Sequence, residues 1–230
     1  VASPGVAPDA KIVAVKVLDR NLSFSGTAQV ISGLEWVRLN RPDVRVVNMS
    51  LGTFALFSSP CDGASAPAMA FSQSIGALKA RGTTVFVSSG NDRSANQMEA
   101  PACISSSVSV GATYDANFGG FSLFGCSETT APDKVACFGN SGPGLKLFAP
   151  GAAITSAGAQ GTSTFFGTSQ AAPHAAGTAA LLLQARPSLT PDDIESALVR
   201  TGKPILYSRN GLTIPRVDAE AALASVGAGA

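Results

Sequence analysis

Apolar positions along the chain follow two rhythms in turn, and their succession predicts strands alternating with helices. Residues 11–18 alternate and are rich in β-branched side chains, which predicts a strand. Over 26–39 the apolar residues Val30, Ile31, Leu34 and Val37 recur at helical spacing. Pro42 and Asp43 turn the chain into an apolar strand over 44–51. A stretch rich in Ser, Pro and Gly then leads into a helix that runs to Arg81 and stops at Gly82. Further strands are predicted over 83–88, 106–112 and 145–148, and further helices over 169–184 and 192–200. Thr190 announces the last of these as N-cap, with Pro191 in its first turn. Such alternation argues for an α/β fold, a doubly wound and mainly parallel sheet with flanking helices.

Composition narrows the partners. With 230 residues, 45% of them hydrophobic, the chain holds enough apolar material for one sizeable core and one domain. Charged residues make up only 13% and the net charge is +1, so no footprint for nucleic acid and no polybasic membrane patch is expected. The longest apolar run, 175–183, is far short of the roughly 20 residues that cross a bilayer. The first residue is Val1, with no basic and apolar leader before it, which suggests processing or truncation.

Cys61, Cys103, Cys126 and Cys137 lack CxxC spacing and neighbouring histidines, against a zinc or thioredoxin-like role. Cys126 and Cys137 bracket a polar segment with turn chemistry at Pro132-Asp133, so a hairpin would join them and leave Cys61 to Cys103. This is one of three possible pairings, and four free thiols are the alternative. Disulfides imply an oxidising, extracellular location.

The richest chemistry lies at Gly167-Thr168-Ser169-Gln170-Ala171-Ala172-Pro173-His174-Ala175-Ala176-Gly177. A serine stands there at a Gly-flanked turn that opens a small-residue helix, whose free N–H groups and positive dipole end face any charge developing on it. This run resembles the nucleophile motif of the subtilisin-like serine peptidases, the subtilases. Four other segments resemble family motifs in the family's order. Gly5-Val6-Ala7-Pro8-Asp9-Ala10 with 11–18 is similar to the strand following the histidine motif, and Val46-Val47-Asn48-Met49-Ser50-Leu51-Gly52 to the substrate-binding strand. Ser88-Ser89-Gly90-Asn91 is similar to the oxyanion turn, and Phe148-Ala149-Pro150-Gly151 to the approach to the nucleophile. Residues 214–224 resemble the closing helix.

The resemblance implies a serine endopeptidase with Ser169 as nucleophile and the Asn91 amide as oxyanion donor. An Asp in place of Asn91 would instead point to the sedolisins. A polypeptide substrate would pair as an added strand between Ser50-Leu51-Gly52 and Ser23-Phe24-Ser25. Ser88-Ser89-Gly90 would form the other wall of the primary specificity pocket, with Gly52 and Gly90 keeping the walls open. Ordinary core packing is the competing reading of Leu51 and Phe24. Asn48 lies in a glycosylation sequon, but a buried strand position is expected to keep it unmodified.

A subtilase triad runs Asp, His, Ser, and its first two motifs should precede residue 5. His174, the sole histidine, lies roughly 140° round the helix axis from Ser169 and is expected to be a packed structural residue, not a general base. Residues 1–230 are therefore expected to be a partial catalytic domain, a monomer missing its N-terminal segment and one central strand, and inactive unless completed. The alternative is a non-catalytic pseudopeptidase or interaction domain, against which the joint presence of Ser169 and Asn91 argues. No cofactor is expected in this chain. Structural calcium is possible in the complete domain, but Lys146 stands where relatives carry an Asp ligand and would repel the cation. Counting back from the landmark Pro101 puts Glu99 near the pocket base and Asp92 at its rim, which would favour a basic P1 side chain; a surface loop with Glu99 in water is the competing reading.

Overall fold

A computed structural model describes residues 4–21, 23, 24, 26–158 and 160–227. Its centre is a six-stranded sheet in the order β1 (Val46–Met49), β3 (Thr84–Ser88), β5 (Val108–Thr113), β8 (Leu147–Pro150), β12 (Leu212–Arg216), β11 (Lys203–Tyr207). The first five run parallel, in registers such as Asn48 with Phe86 and Gly111 with Phe148, and only β11 is antiparallel to its neighbour. Strands β3 and β5 are buried at every position, the polar Thr84, Ser88, Ser109 and Thr113 included, as parallel strands covered on both faces are.

Helices cover both faces. On one lies α3 (Thr168–Ala185), whose buried Ala171, Ala172, Ala175, Ala176 and Ala179 let it approach β3, β5 and β8 closely. It is backed by α4 (Pro191–Thr201) and α5 (Ala219–Gly227). On the other, α1 (Thr27–Asn40) and α2 (Ala66–Ala80) close a second cluster around Leu34, Val37, Phe71, Ile75 and Leu78. Thr190 and Asp193 form a reciprocal capping box at α4.

Three expectations are corrected. Residues 11–18 join no ladder; Val15 and Val17 are half-buried against the second cluster instead. Alternation marks a two-faced segment, but a strand also needs a neighbour, and among the described residues the outer side of β1 has none either. Because β1 is thus an edge, Asn48 is exposed and not buried. The third correction concerns the route to the cysteine pairing and not the pairing itself, which is the one expected. The structure contains the disulfides Cys61–Cys103 and Cys126–Cys137. Cys126, however, opens β7 (Cys126–Thr129), whose hairpin partner is β6 (Gly120–Leu123) on the other side. Phe124 and Gly125, both with positive φ, make the two-residue turn between them, a geometry usually signalled by Asn-Gly and so invisible here. Short hairpins of this kind, with β9 (Ile154–Gly158) and β10 (Gly161–Phe165), and the pair β2 (Leu56–Phe57) and β4 (Met98–Glu99), were not signalled by periodicity.

Candidate active site

The segments singled out by the sequence meet at the carboxyl ends of the parallel strands, where α/β sheets leave room for ligands. Ser50, Leu51 and Gly52 follow β1, Ser89, Gly90 and Asn91 follow β3, and α3 begins at Thr168. The Ser50 hydroxyl donates to the Ser169 carbonyl at 2.7 Å and accepts from the Asn48 amide at 3.0 Å, so the end of β1 is tied to the start of α3. Ser88 and Ser89 are buried, the Ser89 hydroxyl donating to the Asn140 carbonyl at 2.7 Å.

Gly90 turns with φ of 104°, a conformation few other residues adopt, and so presents Asn91 to the start of α3. The Thr168 N–H donates to Asn91 Oδ1 at 2.9 Å and the Thr168 hydroxyl donates to it at 3.1 Å. A backbone N–H can only donate, so the side-chain oxygen of Asn91 must face Thr168 and its Nδ2 is left as a free-facing donor beside the helix. Ser169 is half-buried on the first turn of α3, where N–H groups lack intrahelical partners, and its hydroxyl makes no hydrogen bond among the described residues. His174 Nδ1 lies 2.8 Å from the Gln170 carbonyl, one turn back on its own helix, which occupies that nitrogen away from the serine.

Thr168 belonged to the recognised motif but its role as the anchor of Asn91 was missed. Asn140 was missed outright. Its buried side chain accepts from the N–H groups of Asp92 (2.9 Å) and Ser94 (3.0 Å) and donates to the Asp92 carboxylate at 2.8 Å, while its own N–H donates to the Gly90 carbonyl at 2.9 Å. The only cue in the chain was a turn-prone Gly-Asn-Ser-Gly run.

Glu99 is buried between Gly52 and Gly90 and does not lie in a surface loop, with 5% of its surface exposed. A Cβ added at Gly52 would stand 1.8 Å from Glu99 Oε2, and one at Gly90 would stand 2.7 Å from Oε1. The two glycine walls therefore do not bound an open slot, as expected from the sequence; the carboxyl group of Glu99 fills it. Burial raises the Glu99 carboxyl to about 7, reinforced by its hydrogen bond with the Asp92 carboxylate and opposed by the N–H groups of Phe54 and Asn91.

Other expected residues stand apart. Phe24 is half-buried against the cluster that also holds Leu51, in line with core packing for both. Ser23 is spent on its own loop: its N–H donates to Asp19 Oδ1 at 3.0 Å and its carbonyl accepts from the Asp19 N–H at 2.8 Å. Ser25 lies outside the described residues. Lys146 pairs with Glu195 at 2.8 Å, and no cluster of three or more His, Cys, Asp or Glu suited to a metal occurs among the described residues. No helix among them is long and apolar enough to cross a membrane.

Comparison with known proteins adds the following. The subtilase family model matches residues 2–229. The chain is 38% identical over 216 residues to an extracellular serine proteinase of Thermus sp. (strain Rt41A), covering 93% of this chain and 46% of that protein. It is 32% identical over 203 residues to alkaline serine exoprotease A of Vibrio alginolyticus, covering 86% of this chain and 33% of that protein. Its fold matches the crystal structure of a cold-adapted subtilisin-like serine proteinase with a TM-score of 0.74 and 31% identity, over 94% of this chain and 69% of the other. The chain thus spans less than half the length of these two curated relatives.

Proposed function

Because the chain belongs to the subtilase family, a family of serine peptidases, we propose that it carries the nucleophile, oxyanion donor and primary pocket of a secreted endopeptidase. The observation that carries this reading is the Thr168 clamp on Asn91, which turns an amide donor toward the helix start bearing an unengaged serine hydroxyl.

In this reading Ser169 Oγ attacks the scissile carbonyl carbon while its proton passes to a general base. The carbonyl oxygen, now negative, is held by Asn91 Nδ2 and the Ser169 N–H, both aligned before the reaction begins. The base returns the proton to the leaving amine as the C–N bond breaks. Water then attacks the acyl-enzyme and Ser169 recovers its proton. The base must come from outside these 230 residues, since the one imidazole is held by its own helix. The unladdered segment 11–18 and the outer side of β1, without a partner among the described residues, leave room for a further strand that would carry the Asp orienting that base. The two disulfides support an oxidising, extracellular setting, as do relatives named as extracellular.

The test uses the full-length protein and a fluorophosphonate probe. Labelling at Ser169, abolished in Ser169→Ala, is expected; full labelling of Ser169→Ala would remove the nucleophile. Asn91→Ala should lower kcat about 10²–10³-fold, a magnitude carried over from loss of the oxyanion donor in subtilisin itself. The 230 residues alone should neither label nor turn over peptide at comparable rates.

A further inference from the structure

The slot between Gly52 and Gly90 is occupied by the protein's own carboxyl group, and this decides what can replace it. Whatever side chain a substrate inserts there must either pair with Glu99 or push against it. We propose that Glu99 makes the primary pocket a charge-reading slot, taking a guanidinium- or ammonium-bearing P1 side chain when ionised and admitting an apolar one when protonated. The proposal rests on the peptidase reading and adds its substrate class and its dependence on pH.

The surroundings of Glu99 leave the choice to its own charge. The loop 51–54 offers only the Phe54 N–H, at 3.1 Å from Oε2, and β2, which pairs with β4 through Leu56 opposite Glu99, brings no ionisable group. The segment 138–141 contributes the neutral Asn140 amide, 2.3 Å from where a Cβ of Gly90 would stand. Among the described residues Asp92 is the one ionisable group that acts on Glu99, and it is a second acid that raises Glu99 further. Arg93, next in sequence, extends to Gly125 and its backbone is held from the other side by Arg209, so it does not neutralise the pair. Among the described residues no cation therefore partners the ionised carboxylate. A cationic substrate side chain would supply the missing partner, favouring the ionised form; an apolar one would further desolvate the carboxyl and favour the protonated form. Near neutrality both forms are accessible, because burial and Asp92 bring Glu99 to about 7.

The test titrates the full-length protein, carrying Ser169→Ala, with the fluorescent cation p-aminobenzamidine. Affinity should rise about tenfold or more from pH 5.5 to pH 8.5, the scale of one charge-assisted hydrogen bond gained. In Glu99→Gln, which keeps the acceptor for Phe54, the rise should vanish. In Asp92→Asn, which removes the like charge, the midpoint of the rise should move to lower pH, a shift that a purely structural role would not produce. Binding independent of pH, or unchanged in Glu99→Gln, overturns the proposal, as does a midpoint unmoved in Asp92→Asn. In parallel, the active protein is assayed on peptides with Arg and Phe at P1, and the Arg/Phe ratio of kcat/KM should climb over the same pH interval. A Glu99-dependent binding profile without any peptidase activity would uphold the slot and sink the peptidase reading; activity with a flat ratio would do the reverse.

Discussion

Replacing Glu99 by Gln should make the protein's stability less sensitive to pH in one defined interval. The ordinary carboxyl value of 4.5 is raised to about 7 in the folded state, chiefly by burial and then by Asp92. Between these values the native protein holds a proton that the unfolded chain has released. Stability therefore falls as pH rises from 4.5 to 7, is fully present below 4.5, and stays at its lower level above 7. At about 1.4 kcal/mol per unit the ceiling is roughly 3 kcal/mol, and solvent at the pocket mouth reduces it to about 2 kcal/mol. Urea unfolding of Ser169→Ala protein, with and without Glu99→Gln, at pH 4, 5.5, 7 and 8.5 measures it. The Gln variant should gain about 2 kcal/mol relative to its parent between the two extremes of pH, other titrating groups cancelling in the comparison. An unchanged difference between the two proteins from pH 4 to 8.5 would show that Glu99 is not desolvated in the native state, and the account of the filled slot would be wrong.

Thr168→Val removes the hydroxyl that donates to Asn91 and accepts from the buried Gly90 N–H. It should cost about 1–3 kcal/mol in stability and lower kcat more than it changes KM, since Asn91 acts on the transition state; equal kcat in the variant would argue against Asn91 as the oxyanion donor. Removing Cys126–Cys137, with a separation of 11, should destabilise by about 3 kcal/mol, and removing Cys61–Cys103, with a separation of 42, by about 4 kcal/mol. Denaturant midpoints of the paired Cys→Ser variants check the order, and a larger loss from the shorter loop would contradict the chain-entropy argument.

Much of the architecture was legible because its causes are local. Helical spacing at Val30, Leu34 and Val37 needs only neighbours one turn away, and the Thr190 cap needs only Asp193 three residues on. The short β-rich runs of β3 and β5 announced strands, and their alternation with helices announced a mainly parallel sheet. Ser169 and Asn91 could be named because each sits in a short turn whose glycine is visible in sequence. The sequence by itself thus determined the alternation of strands and helices around a mainly parallel sheet, the helix ends to within a residue or two, and the candidate reacting groups. Apart from the cysteine pairing, it did not determine partnership across the chain. Segment 11–18 has the alternation of a strand, yet pairing depends on what lies beside it, and Asn48 became exposed for the same reason. Cys126 turned out to be paired in a hairpin with β6 because two positive-φ residues, Phe124 and Gly125, closed a turn that composition did not mark. Asn140 reaches Asp92 across 48 residues and Glu99 reaches Phe54 across 45. Whether a carboxyl group lies in water or between two glycine walls depends on which distant segments pack around it, and only the folded chain brings those segments together.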